Sequence, residues 1–199
     1  MEISWHGNTC FTVKDKGVAI VINPDKNAGK LSGDVVLSSL SETAKVDGEP
    51  IVFDWPGEYE VKNVPIIGFQ AWTKSKSKEE DEGTAGDPTI IFYFQINGVK
   101  CCHLGNLGHV LISDMVKEIG DVDILMINGD KDGNLGNKKA VAVLEAIDPR
   151  VVIPMGNSEH NGLLKELGAS EVETLEKFVL KTASELPDDK RKFVVLKKL

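Results

Sequence analysis

Five short apolar runs limit what this chain can fold into: VAIVI at 18–22, VVL at 35–37, TIIFYF at 89–94, ILMI at 124–127 and VVIPM at 151–155. Each is the length of a strand, and none approaches the roughly 20 residues of a membrane-spanning helix. A continuous apolar run between turn residues is buried on both faces, so these strands belong inside covered sheets. EISWHG, CFTVKDKG and VAIVINPD read as a meander turning at Lys14–Gly17. PIVFDWPGEYEVKNVPIIGFQAW adds strands punctuated by Pro56-Gly57, and TIIFYFQINGVKCCHLG is a hairpin around Asn97-Gly98, a type I′ signal.

After the hairpin the period changes. HVLISDMVKEIG puts Val110, Leu111, Met115, Val116 and Ile119 on one helical face, with Gly120 as a stop. VDILMING is a buried strand, NKKAVAVLEAIDPR a helix ending before Pro149, VVIPMGN a strand, and SEHNGLLKELG a helix. The tail EKFVLKTASELPDDKRKFVVLKKL reads as a closing strand pair. Two sheets packed face to face with helices outside give an α/β fold, a four-layer αββα sandwich.

The 199 residues fit one domain spanning 1–199. TKSKSKEEDEGTAGDP, at 73–88, is charged and almost free of apolar residues, and is expected to be a mobile surface loop. A formal net charge of −8 provides no basic footprint for nucleic acid or anionic lipid. The start MEISWHGNTC lacks the basic and apolar parts of a signal peptide, and Cys10, Cys101 and Cys102 have no zinc-ribbon or CxxC spacing. Reduced, buried thiols in a cytoplasmic protein are expected.

Several phrases then line up in order: ISWHGNTCFTV, VINPD, DVVLSS, PGEYEVKNV, CHLGNLGH, VDILMINGD and DPRVVIPMGN. Together they resemble the metallo-β-lactamase superfamily, in its branch of small metal-dependent hydrolases similar to ascorbate-6-phosphate lactonase. The likeness runs over about residues 1–168. It implies the αββα fold and a zinc or manganese site at the strand ends. There a metal-activated water would attack a lactone, ester, amide or phosphodiester.

In the family's register, the HxHxDH loop falls on Leu40, Glu42, Ala44 and Lys45. A further histidine falls near Thr73, the aspartate of the GD phrase on Asn106, and the histidine of the PMH phrase on Gly156. Asn8 and Asn23 stand where supporting histidine and aspartate are usual. The resemblance therefore implies a vestigial groove with no catalytic residue, no metal ligand and no metal cofactor. Asn23 and Asn106 would keep the shape of aspartate without a charge that burial makes costly.

Elsewhere the chemistry is sparse. His6, His103, Asp25 and Asp130 are the candidates for a rebuilt metal site, while His109 opens a helix and His160 lies at an exposed helix start. Ser38, Ser39 and Ser41 lie outside any GxSxG elbow, and GDKDGNLGN at 129–137 lacks the closing glutamate of a calcium loop. The leading expectation is a metal-free, hydrolytically inactive member of the fold with a binding or structural role. The alternative is a divergent hydrolase using Glu42, Lys45, Asp130 and Ser41. A small anion such as phosphate would suit Lys45 flanked by Asn23 and Asn106; a closed Lys45–Glu42 pair, the preferred arrangement, would fill the groove instead. The resemblance also points to a homo-oligomer.

Overall fold

The computed structural model describes residues 1–40, 42–74, 86–129, 134–156, 161–169, 172 and 174–199. The strands are β1 (Glu2–Gly7), β2 (Cys10–Asp15), β3 (Val18–Ile22), β4 (Leu31–Ser32), β5 (Val35–Leu37), β6 (Val46–Asp47), β7 (Ile51–Phe53), β8 (Gly57–Val61) and β9 (Val64–Trp72). They continue with β10 (Pro88–Ile96), β11 (Val99–His103), β12 (Ile124–Asn128), β13 (Val151–Met155), β14 (Thr174–Leu175), β15 (Phe178–Val179), β16 (Lys192–Phe193) and β17 (Val195–Leu196). The helices are α1 (Ser113–Ile119), α2 (Gly136–Ile147) and α3 (Asn161–Glu166).

One sheet has the order β15-β1-β2-β3-β5-β7 and the other β16-β13-β12-β11-β10-β9-β8. Their facing sides share one core, in which Phe11, Ile20 and Leu37 meet Phe92, Met126 and Ile153. All five residues of β12 and of β13 are buried. The apolar runs have that cause: alternate side chains enter the inter-sheet core, while Leu125, Ile127 and Val152 face the helices.

The α/β sandwich is the expected one, with a difference on its first sheet. Helix residues Val116, Leu144 and Leu163 all pack on the second sheet. The outer side of the first carries Cys10, Val21 and Val36, covered by Ala28, Leu31 and Val46 from the coil around β4 and β6. Among the described residues that fourth layer is coil and short strand, not helix. No helix among them is long and apolar enough to cross a membrane.

Local chemistry explains the boundaries. In α2, Ala140, Val143, Leu144 and Ile147 recur at i, i+3, i+4 and i+7 and are buried. Burying a leucine such as Leu144 contributes about 2 kcal/mol. The helix stops where Asp148 turns left-handed (φ 51°), its N–H bonding Leu144 O, just before Pro149. Asn97 and Gly98 both have positive φ and close the β10–β11 hairpin as expected.

Two expectations are corrected. α1 begins at Ser113, not at His109, because His109 Nδ1 donates to Val110 O (3.0 Å) and its Nε2 accepts the Trp72 N–H (3.3 Å). Those bonds hold 109–110 against the end of β9, and Val110 is left 43% exposed. The tail does not pair on itself: β15 joins β1, β16 joins β13, and β14 pairs with β17. At the ends of the charged 73–88 segment, Thr73 N donates to Asp87 O and Pro88 opens β10; residues 75–85 lie outside the described residues.

Candidate active site

Loops at the strand ends of both sheets converge. β3 ends at Ile22, and Asn23 follows in the left-handed region (φ 48°), a conformation that asparagine tolerates better than most residues. Its N–H donates to Leu37 O at 2.9 Å, which turns the side chain toward the loop after β5. Asn23 is fully buried and fully engaged. Oδ1 accepts Ser39 N–H (2.7 Å) and Ser39 O–H (3.1 Å), and Nδ2 donates to Ser39 Oγ (2.8 Å) and Thr9 Oγ1 (3.1 Å).

Thr9, in the turn between β1 and β2, leads to the second sheet. Its carbonyl accepts the Nε2–H of His103 at 3.0 Å, and His103 Nδ1 accepts the Gly105 N–H at 3.1 Å. One nitrogen must therefore carry the proton and the other a lone pair: a neutral imidazole with its tautomer set. The ring is fully buried with Phe11 edge-on at 5.8 Å. Burial depresses its pKa to about 4, against the raising effect of the Thr9 carbonyl. Gly105 has φ 57°, and a Cβ there would lie 2.7 Å from Ile90 O and 2.9 Å from Ser39 Oγ. Only glycine permits that approach.

The structure brings some expected positions together. Gly156 N donates to Asn8 O at 3.0 Å, an isolated bridge joining the end of β13 to the β1–β2 turn. Asn8 Nδ2 donates to Asp25 at 3.2 Å. Asn106 is half-buried, its N–H on Thr89 Oγ1 at 3.4 Å. Thr73 Oγ1 accepts the Asp87 N–H, and the adjoining Trp72 carbonyl accepts Gly108 N–H at 2.9 Å, fastening the end of β9 to the loop that holds Asn106. Leu40 is half-buried above Ser38, and Ala44 N donates to Pro24 O at 2.9 Å.

Other expected arrangements are corrected. Glu42 pairs with Lys26 at 3.6 Å rather than with Lys45, both partners more than four-fifths exposed, and Lys45 is exposed. The Asn23 amide hydrogens are already donated, so they do not cradle an anion with Lys45. His6 faces away from the inter-sheet core, its Nε2 on Thr12 Oγ1 at 3.0 Å, and both nitrogens of His103 are committed. Asp25 accepts Asn8 and the Asn27 N–H. Ser41, Asp130 and His160 lie outside the described residues, as do 130–133 of the expected loop 129–137. Among the described residues no group of three His, Cys, Asp or Glu could hold a metal ion, so by themselves they do not fit one. Thr9 is the member of this hydrogen-bonded cluster that sequence reasoning missed; a threonine between two strands gives no signal.

The profile of the Beta-lactamase superfamily domain matches residues 2–156. A solved structure from Thermotoga maritima, described as a Zn-dependent hydrolase of the metallo-beta-lactamase superfamily, is 30% identical; the match covers 98% of this chain and 97% of that one with a TM-score of 0.82. A UPF0173 metal-dependent hydrolase of Methanopyrus kandleri is 22% identical over 191 residues, covering 78% of this chain and 83% of the relative. A UPF0173 protein of Pyrococcus abyssi is 25% identical over 181 residues, covering 81% and 86%. These kinships overturn the expectation of a protein without a metal cofactor. Relatives matching along most of their length are named as metal-dependent or zinc-dependent hydrolases, and they favour the hydrolase alternative over an inactive relative. By profile, by overall fold and by its whole-length relatives, the chain belongs to the metallo-β-lactamase superfamily.

Proposed function

We propose that this protein is a divergent hydrolase of the superfamily, cleaving a lactone, an ester or a phosphodiester where residues 7–9, 38–40, 42–45 and 104–109 converge with Gly156. The observation that carries this reading is the near-complete overlap, at 30% identity, with a protein described as a Zn-dependent hydrolase. The described residues by themselves assemble no donor set for a metal, and the roles proposed here are those of the described polar groups. Thr9, Asn23, Ser39 and His103 bond one another and form a rigid, neutral foundation. Charge comes from exposed Lys45 and from the Lys26–Glu42 pair. Each of these reactions builds negative charge on oxygen, which a nearby cation stabilises and a carboxylate assists by taking a proton. In this proposal Lys45 has the first role and Glu42 the second.

The substrate is a small molecule and the compartment the cytoplasm. A net charge of −8 and three buried, unpaired thiols support both statements. Turnover on a panel of lactones, esters and phosphodiesters, with zinc, manganese or no added metal, tests the reading alongside metal analysis of protein purified without chelator. At least one class should turn over, with Lys45→Met or Glu42→Gln lowering kcat about tenfold or more. Absence of turnover with every metal overturns the proposal.

A further inference from the structure

The hydrogen bonds of the site form a chain that packing closes into a circuit. Ser39 is bonded to Asn23, Asn23 to Thr9, Thr9 to His103 and His103 to Gly105. The circuit closes where Gly105 packs against Ser39 so tightly that a Cβ would lie 2.9 Å from its Oγ. All five residues are buried, and none carries a charge. Two of them stand in loops that leave opposite sheets: Ser39 follows β5 of the first, and Gly105 follows β11 of the second. Within this set, the hydrogen bond between His103 and Thr9 is the one that crosses from the second sheet to the first. The strand neighbours of His103 are Phe92 on β10 and Met126 on β12, with the Phe11 ring at its edge, so no charged side chain faces it from those elements.

We propose that His103 is a positioning residue: held as the Nε2–H tautomer, it clasps Thr9 of one sheet and Gly105 of the other, and so sets the separation of the two loops that frame the site. This role rests on reading the strand ends as the active site, yet the clasp is measurable without any substrate. A hydrogen bond from a fixed donor on one side and to a fixed acceptor on the other orients the ring, as second-layer contacts orient reacting groups elsewhere. Replacing the ring by an apolar group leaves the Thr9 carbonyl and the Gly105 N–H buried without partners. His103→Gln supplies one donor and one acceptor and restores part of the clasp.

The test uses the full chain. Long-range proton–nitrogen correlation spectra should show His103 with Nε2 protonated and Nδ1 bare, unchanged between about pH 5.5 and 8.5. In His103→Leu, amide exchange at Gly105 and Ser39 should accelerate at least tenfold relative to the amides of β12, with His103→Gln intermediate. Thr9→Val, which cuts the circuit beyond the carbonyl, should accelerate Ser39 and leave Gly105 within twofold. An Nδ1–H tautomer in the wild-type protein overturns the proposal. So does exchange at Ser39 that ignores both His103→Leu and Thr9→Val. Should His103→Leu fail to fold, the wild-type tautomer and Thr9→Val decide. With a substrate in hand, His103→Leu should lower kcat at least tenfold with KM within threefold. A protein without turnover fails the hydrolase reading and leaves the exchange results to judge the clasp.

Discussion

Replacing Asn23 by leucine should destabilise the protein by about 3–5 kcal/mol. The side chain is fully buried, and leucine fills nearly the same volume, so cavity formation is a minor contribution. Two effects remain. The Ser39 N–H, donated to Asn23 Oδ1 at 2.7 Å, loses its acceptor inside the protein, which costs about 1–3 kcal/mol. The backbone at φ 48° suits asparagine, and a branched apolar side chain there adds about 1–2 kcal/mol. The hydroxyls of Thr9 and Ser39, which also lose a partner, carry the sum toward its upper end. Domains of this kind hold only about 5–15 kcal/mol in total, so the loss is severe. At roughly 2–4 °C per kcal/mol for a chain of this size, Tm should fall by about 6–20 °C. Asn23→Gly separates the two contributions, because it removes the side chain but relieves the left-handed strain. Urea and thermal melts of the three proteins measure both. A leucine variant within about 1 kcal/mol of wild type would refute the claim that Asn23 satisfies Ser39.

Three further outcomes follow from the same structure. With a folded-state pKa of about 4, below an ordinary 6.5, neutral His103 contributes stability that is complete above pH 6.5 and is lost as pH falls toward 4. Denaturant midpoints should show an acid-side slope worth on the order of 3 kcal/mol that disappears in His103→Gln; an unchanged slope in that variant refutes the assignment. The outer edge of β7 presents Ile51 and Val52, about half exposed, beside Trp55 at 74%, while edge strand β8 is blunted by Glu58 and Glu60. Sedimentation should therefore reveal self-association that Val52→Lys weakens at least tenfold, and a monomer at every concentration rules it out. Burial raises the pKa of the Cys10 thiol to about 12 and pushes those of Cys101 and Cys102 higher still. None of the three should react with a disulfide reagent at neutral pH until denaturant is added; rapid native reaction contradicts the burial.

Much of the fold was legible in sequence wherever local preference and tertiary demand agree. The apolar runs of β12 and β13, the Asn97-Gly98 turn and the left-handed stop at Asp148 are local features that packing reinforces. The start of α1 was not legible, because His109 is bound by Trp72, a residue far away along the chain. The tail strands misled for a similar reason: short segments take whichever sheet edge lies near, and β15 and β16 found different ones. At the site, family register drew attention to Asn8, Asn23 and Gly156, which the fold ties into the convergence of the two sheets. It could not reveal that Glu42 takes Lys26 as partner, since loop side chains choose among neighbours that only the folded chain supplies.

The uneven dressing of the two sheets has a mechanical corollary. Coil around β4 and β6 covers only a small cluster, whereas helices and the central core are cemented by far more apolar contact. Local opening free energy follows such contact, so this flank should breathe first while the remainder stays shut. Cys10 lies beneath that flank, and Cys101 and Cys102 lie elsewhere in the interior. Under slow oxidative ageing the three thiols should thus be consumed in order, with Cys10 leading and recording each partial excursion that the other two never feel.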